Sequence, residues 1–142
     1  MQDLRMTNPQ VIEKIRQEIV DCGKDPRYHI SAYDFVLNGL EFYITSLGEK
    51  RHVNGKELAK GLLLFAYKQF GLLANDVLNH WGMTKSDDFG HVVYNMIEIG
   101  VMSRQPEDSV EHFFNVIDFK EYFDLQFYYE IDKDFIKKIK GA

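Results

Sequence analysis

Four polar side chains recur at helical spacing within residues 31–47, a segment that is otherwise mostly apolar or aromatic. Asp34, Asn38, Glu41 and Thr45 follow one another at intervals of four, three and four residues, which places them on one face of a helix. The two carboxylates would lie roughly 10 Å apart along the axis, too far for a shared catalytic site without a third group. The solvated face of a mostly buried helix is therefore favoured over a groove that binds a small ligand or substrate. The residues of that candidate groove are His29, Asp34, Asn38, Glu41 and His52.

A short basic cluster surrounds the predicted start of the third helix. Asn54 is a typical N-cap, and Glu57 stands three residues later in the capping-box position. Backbone N–H groups at a helix N-terminus attract anions, so Lys50, Arg51 and Lys56 are candidate contacts for a phosphate or carboxylate. The glycine pattern of a P-loop is missing, and solvated surface charge is the favoured interpretation.

No motif of catalytic or metal-binding chemistry is complete in the sequence. Two carboxylate–histidine pairs have i, i+4 spacing, Asp76 with His80 and Asp87 with His91, but neither has an identifiable third ligand. There is no G-x-S-x-G nucleophile turn and no G-x-G-x-x-G loop. The one cysteine, Cys22, is predicted to be a small buried residue near a helix end. We therefore expect no catalytic residue, no metal and no cofactor.

The second half of the chain predicts a helix-turn-helix followed by a hairpin. Helices are expected over residues 73–81 and 87–99, separated by a turn at Gly82, and strands near residues 101–104 and 111–117. Helix, turn, helix and wing is the order of a winged-helix module. We predict a mainly α fold of about five helices with a C-terminal β-hairpin, in which a winged-helix-like half packs on an N-terminal helical layer.

The charge of this winged-helix-like segment, residues 72–119, disfavours DNA binding. Residues 72–132 carry twelve Asp and Glu against three Lys and Arg, whereas a DNA-binding surface must meet phosphates with cations. An acidic helix complements a basic protein surface instead. A non-enzymatic protein-interaction or regulatory module is thus favoured over the alternative, a winged-helix DNA-binding transcriptional regulator. The candidate interaction surface comprises Asp87, Asp88, His91, Tyr94, Asn95 and Arg104.

Length and composition predict one soluble domain over residues 1–142, with 45% hydrophobic residues and a net charge of -5. A single cysteine allows no internal disulfide, and the longest apolar run is far short of the roughly 20 residues that span a bilayer. We therefore expect a cytoplasmic protein with no membrane partner. The aromatic residues within 119–130 are predicted to cover the core or to meet a partner, and the basic tail, residues 133–142, to fray. Three glycines inside predicted helices indicate close helix packing: Gly39, Gly61 and Gly90.

A set of short segments supports a further interpretation. The segments are Arg27-Tyr28-His29, Ala32-Tyr33-Asp34-Phe35-Val36, Gly39-Leu40-Glu41-Phe42, Arg51-His52-Val53-Asn54-Gly55-Lys56-Glu57-Leu58, Gln69-Phe70-Gly71, Leu78-Asn79-His80-Trp81-Gly82, Asp87-Asp88-Phe89-Gly90 and Ser103. As a set, spread over residues 27–123, they resemble an uncharacterised family of small bacterial proteins, found for instance in planctomycete and verrucomicrobial genomes. The resemblance implies a bacterial protein of unknown function and carries over no catalytic or binding residue.

Overall fold

The computed structural model describes residues 2–3, 8–49 and 51–126. These residues are mainly helical, as the periodicity of the sequence predicts. The α-helices are α1 (Asn8–Ile15), α2 (Ile30–Leu47), α3 (Gly55–Phe70), α4 (Ala74–His80) and α5 (Ser86–Glu98). Shorter turns extend or connect them: a π-helical turn at Arg16–Val20 and 3-10 turns at Gly71–Leu73 and Val110–Phe113. Residues 119–126 are helical as well.

Capping contacts explain where α2 and α3 begin. At α3 the predicted capping box is confirmed, because Asn54 Oδ1 accepts from the Glu57 N–H at 2.9 Å and Glu57 Oε1 accepts from the Asn54 N–H at 3.1 Å. At α2 the cap is His29, whose Nδ1 accepts from the Ser31 N–H at 3.0 Å. The helix therefore begins at Ile30, one residue before the predicted start, and Asp34 takes no part in its cap.

Helices α2 and α3 pack closely because each presents a glycine to a large side chain of the other. A Cβ on Gly39 would lie 2.4 Å from Leu62 Cδ2, and a Cβ on Gly61 would lie 2.5 Å from Tyr43 Cδ1. This confirms the close packing predicted from helix-interior glycines. Helix α5 lies against both α2 and the 3-10 turn Val110–Phe113, so it is covered on more than one side.

The predicted β-hairpin is not formed by the described residues. Met102–Ser103 is a strand, β2, but it pairs antiparallel with β1, Gln2–Asp3, at the other end of the chain. Residues 111–117 do not form the predicted strand, because the Ser109 side chain caps the 3-10 turn Val110–Phe113 and Asn115 then adopts a left-handed φ of 52°. Two consecutive helices, α4 and α5, lie where the helix-turn-helix was predicted, and the described residues do not form the predicted wing.

Other predictions concern the aromatic run, the basic tail, Cys22 and membrane-spanning helices. Phe119 and Phe123 are buried, which supports core cover over partner contact for that part of the aromatic run. Residues 127–130, Lys50 and the tail of residues 133–142 lie outside the described residues. Cys22 is exposed, contrary to prediction, with its thiol donating to the Glu18 carbonyl at 3.0 Å. None of the described helices combines the length and apolarity that crossing a membrane requires.

Candidate functional site

A groove of about 210 Å³ opens where α2, the end of α3 and the end of α4 meet. Its aromatic wall is held by mutual contacts: the rings of Phe70 and Trp81 have centroids 5.7 Å apart and planes inclined at 78°. The buried Phe35 supports both rings, at 5.9 Å from Trp81 and 6.4 Å from Phe70. Phe65 completes the wall, 5.4 Å from Phe35. Such contacts fix ring positions and pre-form the groove.

The rim of the groove is polar and carries one negative charge. Asp34 and Asn38 project from α2, and Gln69 projects from α3. All three side chains are exposed, and the Asp34 carboxylate has no hydrogen bond or ion pair with any described residue. No Lys, Arg or His lies among the described residues that line this groove, so Asp34 is the one charged residue of that described lining.

The five residues of the predicted groove do not converge. Asp34 and Asn38 share the groove described above, as their spacing predicts. His29 lines a neighbouring, more open depression of about 510 Å³, which meets the groove at Trp81. Glu41 and His52 line neither one; His52 Nε2 instead lies 2.9 Å from Asp108 Oδ1. The arrangement offers no constellation for acid–base catalysis with these five groups.

The aromatic wall is the part of the site that sequence reasoning missed. Phe70 and Trp81 are both only partly buried. Trp81 is the single tryptophan of the chain and directly precedes Gly82 at the end of α4. A large aromatic side chain at a helix end, next to a glycine turn, is the signal that could have indicated a surface site.

The predicted anion contacts are weakened by an internal ion pair. Arg51 donates Nη1 to Glu57 Oε1 at 3.0 Å and Nη2 to Glu57 Oε2 at 2.9 Å. The hydrogen bonds from Arg51 lower the pKa of Glu57 to about 2. Lys56 is exposed beside them, and Lys50 lies outside the described residues. Because Arg51 is already paired with Glu57, Lys56 is the member of the cluster, among the described residues, that is left to contact an anion.

Asp88, a member of the predicted interaction surface, is a buried structural carboxylate. Its Oδ1 accepts from the Tyr28 hydroxyl at 2.6 Å, and its Oδ2 accepts from the Thr84 N–H at 2.9 Å and the Lys85 N–H at 3.3 Å. These contacts start α5 and tie it to the loop that precedes α2. Asp88 thus caps this helix from within its first turn.

Asn95 is also engaged inside the molecule. Its Nδ2 donates to Asp25 Oδ2 at 2.8 Å and to the Tyr33 hydroxyl at 3.1 Å. Asp25 is buried and is further bound by Arg27 through Nε and Nη2, each at 2.8 Å. The Arg27 hydrogen bond is the main reason that the pKa of Asp25 falls to about 2.

The ion pair between Asp25 and Arg27 predicts that the protein loses stability in acid. The pKa of Asp25 in the folded protein is about 2, below its ordinary value of 3.8. The ionised carboxylate therefore stabilises the fold fully at pH values above 3.8, and this stabilisation is lost as the pH falls toward 2. We expect Asp25→Asn to lower the free energy of unfolding by about 1 to 2 kcal/mol at pH 7 and by much less at pH 2. Urea unfolding at both pH values measures this, with the exposed carboxylate variant Asp21→Asn as control. An Asp25→Asn deficit that is equal at both pH values would contradict the prediction.

Of the remaining residues of the predicted surface, Asp87, His91 and Tyr94 are partly buried, and Arg104 is exposed. Asp87 accepts from the Asn115 N–H at 3.0 Å, and the His91 ring lies 5.7 Å from the Phe114 ring. Burial raises the pKa of Tyr94. Arg104 Nη1 donates to the Asp108 carbonyl at 3.0 Å. Most of this surface therefore stabilises the fold.

Neither predicted carboxylate–histidine pair acquires further metal ligands. Within residues 2–3, 8–49 and 51–126, no group of three or more His, Cys, Asp and Glu side chains is placed to hold a metal ion. Comparison with protein-family models, with curated proteins and with solved structures finds no match for this chain.

Proposed function

We propose that this protein is a non-enzymatic binding module, and that a partner protein docks at the corner where α3 meets α4. The observation that carries the proposal is a pair of exposed leucines in the turn Gly71–Leu73. Leu72 is 66% exposed and Leu73 is 63% exposed. They follow Phe70 of the groove after Gly71, and we propose that a partner uses them together with the aromatic wall.

The free energy available at this corner suits a protein contact. Burying one large aliphatic side chain fully is worth about 1.5 to 3 kcal/mol, so the two leucines together supply a useful share of a binding energy. Isolated apolar residues are normal on a surface, but two in succession beside an aromatic groove form a patch typical of interaction sites. We call Leu72, Leu73 and the groove the leucine corner.

Charge indicates the kind of partner that the leucine corner fits. Asp34 on α2 and Asp76 in the first turn of α4 are both exposed. The chain carries a net charge of -5, and a basic partner would be attracted to it. Of the basic residues nearby, Lys68 on α3 has its Nζ 5.5 Å from the Phe42 ring centroid, and Arg16 and Arg27 line the neighbouring depression and not the groove. The proposed partner segment is therefore basic and apolar.

The DNA-binding alternative is less well supported. A helix-turn-helix protein inserts its second helix into the major groove, which requires the polar face of that helix to be free. In α5, Asp88 and Asn95 are used by Tyr28, Asp25 and Tyr33, and the helix lies between α2 and the turn Val110–Phe113. The hairpin that would act as a wing is not formed by the described residues.

The proposal includes a bacterial and cytoplasmic setting. The bacterial part rests on the resemblance over residues 27–123, and the cytoplasmic part on a chain with one cysteine, which a reducing compartment suits. Neither bears on the docking site, which is argued from side-chain exposure and charge alone.

Serine substitution at both leucines tests the proposal. Immobilised wild-type chain is expected to enrich specific proteins from cell lysate, and one of these, once purified, to bind with an affinity that Leu72→Ser with Leu73→Ser lowers at least about tenfold. Isothermal titration calorimetry with the purified partner measures the affinity. Both sites are exposed, so the double variant should keep its stability within about 0.5 kcal/mol.

The matched control is Leu125→Ser, which removes another leucine that is 58% exposed but belongs to the helical residues 119–126. This variant should retain full partner binding. A chain that enriches no protein above background, or a double-serine variant that binds as tightly as the control, would overturn the proposed docking site.

A further inference from the structure

We propose that the groove beside Trp81 binds an ammonium cation, the lysine side chain of the docked partner. This inference rests on the proposed function for the source of the cation, and on the groove itself for the chemistry. The groove combines aromatic walls, a carboxylate and amide acceptors in one concave site. Each of these features favours a cation.

The walls provide the first attraction. Aromatic faces carry negative charge density and attract ammonium groups that lie within about 6 Å of the ring centroid, tryptophan most strongly. Phe70 and Trp81 stand nearly perpendicular, at 78°, so they form two sides of a corner into which a tetrahedral ammonium group can fit. With Phe65 as a third ring, the groove of about 210 Å³ is large enough for the end of a lysine side chain and small enough to contact it.

The rim provides the second attraction. Asp34 is exposed at the groove and has no partner among the described residues, so a bound cation would meet a free carboxylate. At about 4 Å in water, such a pair is worth about fivefold in affinity. The side-chain carbonyls of Asn38 and Gln69 can accept hydrogen bonds from an N–H group beside it.

Other classes of ligand fit the groove less well. An anion would approach Asp34 without any basic residue among the described groove lining to offset the repulsion. A metal ion would find one carboxylate, and the described residues provide no cluster of three ligands. A purely apolar ligand would cover Asp34 and leave its charge without solvent or a partner, which is costly.

The position of the groove explains why a partner would supply the cation. Phe70 belongs to the groove, and Leu72 follows it after one residue, in the exposed turn. A partner segment that packs apolar side chains on the leucines therefore brings a neighbouring lysine within reach of the Phe70–Trp81 corner. The basic, apolar segment proposed above has this composition.

Trp81 makes the groove directly observable. It is the only tryptophan in the chain, so intrinsic tryptophan fluorescence reports the groove and the depression that meets it at Trp81, and the variants described below distinguish the two. Titration with tetramethylammonium chloride, at ionic strength held constant with sodium chloride, should give a saturable change with a Kd on the order of millimolar. The neutral molecule tert-butanol, of similar size and shape, should give no saturable change. N-acetyl-lysine methylamide should bind, and N-acetyl-norleucine methylamide, which lacks the ammonium group, should not.

Two variants assign the binding to the proposed contacts. Asp34→Asn should weaken tetramethylammonium binding about fivefold, whereas Glu41→Gln, an exposed carboxylate on the same helix outside the groove, should leave it unchanged. Phe70→Leu, which keeps apolar volume but removes a ring, should weaken binding about threefold, whereas Phe114→Leu should not. Thermal unfolding of each variant confirms that the fold is intact.

The outcomes separate this inference from the proposed function. Absence of saturable binding, equal responses to the charged and neutral probes, or equal effects of Asp34→Asn and Glu41→Gln would overturn the ammonium site, whatever the leucine variants do. Saturable ammonium binding by a chain that captures no partner would overturn the partner's lysine as the source of the cation. Binding of both ammonium probes together with leucine-dependent partner capture supports the full proposal.

Discussion

Replacing Gly82 with alanine is expected to destabilise the fold by about 3 to 5 kcal/mol. Gly82 has a φ of 98°, in a region that residues with a Cβ adopt only under strain. In addition, a Cβ there would lie 2.0 Å from the Arg27 carbonyl oxygen. That oxygen belongs to the backbone, so relief of the clash requires the turn after α4 to move away from the loop that precedes α2. Urea unfolding followed by circular dichroism measures the loss.

The control variant, Gly100→Ala, separates backbone strain from the clash. Gly100 has a similar φ of 84°, but apart from its chain neighbours no atom of the described residues lies within 4 Å of the position that its Cβ would take. It should therefore cost only about 1 kcal/mol. Equal losses for the two variants would contradict the close approach between Gly82 and Arg27.

The turn at Gly82 also links the stability of the fold to the shape of the groove. The His29 N–H donates to the Trp81 carbonyl at 3.1 Å, one residue before Gly82. Displacement of this turn would shift Trp81 relative to Phe70 and Phe35, which stay on α3 and α2. The Gly82→Ala variant should accordingly show altered tryptophan emission even under conditions where it remains folded, while Gly100→Ala should not.

Features set by neighbours in sequence could be predicted well. The start of α3 follows from Asn54 and Glu57, three residues apart, and their capping box forms as expected. The packing of α2 on α3 follows from Gly39 and Gly61, which are costly inside helices unless a close approach requires them. In both cases a local pattern has one favourable structural outcome.

The hairpin could not be predicted correctly, because distant contacts decide it. The segment 111–117 is rich in aromatic and β-branched residues, which favours a strand. A Cβ on Gly90 would lie 2.9 Å from Phe113 Cβ, so Phe113 packs directly on α5. This tertiary contact accompanies a 3-10 turn in place of a strand, and β2 pairs with Gln2–Asp3 from the far end of the chain.

The candidate site, too, could be predicted only in part from the sequence. Asp34 and Asn38 could be placed on one face from spacing alone, and the groove uses that face. The aromatic wall joins the ends of α3 and α4 to α2, a juxtaposition that no single helix pattern contains. Asn95 resembled a surface residue because its helix periodicity pointed away from the predicted core, whereas its partner Asp25 lies 70 residues earlier in the chain.

Replacing Asp88 with alanine is expected to lower the free energy of unfolding by about 3 to 4 kcal/mol. The Tyr28 hydroxyl is the most affected group, because Tyr28 is buried and would lose its 2.6 Å hydrogen bond to Asp88. Burial, together with this hydrogen bond to a carboxylate, also raises the pKa of Tyr28 well above its ordinary value. The N–H groups of Thr84 and Lys85 would lose their acceptor at the start of α5 as well. Guanidinium unfolding at pH 7 measures the total.

Two comparisons identify the cause of that loss. Asp87→Ala removes the adjacent carboxylate, which accepts one hydrogen bond from Asn115 and should cost about 1 kcal/mol. In a double-mutant cycle, Tyr28→Phe should cost less in the Asp88→Ala background than in the wild type, because the hydroxyl that it deletes has then already lost its acceptor. Strict additivity of the two substitutions would show that the Tyr28–Asp88 bond contributes nothing. The loop–helix connection would then depend on other contacts, such as Asp25 with Asn95 and Lys24 with Glu98, and the structural role of the Tyr28–Asp88 hydrogen bond would be refuted.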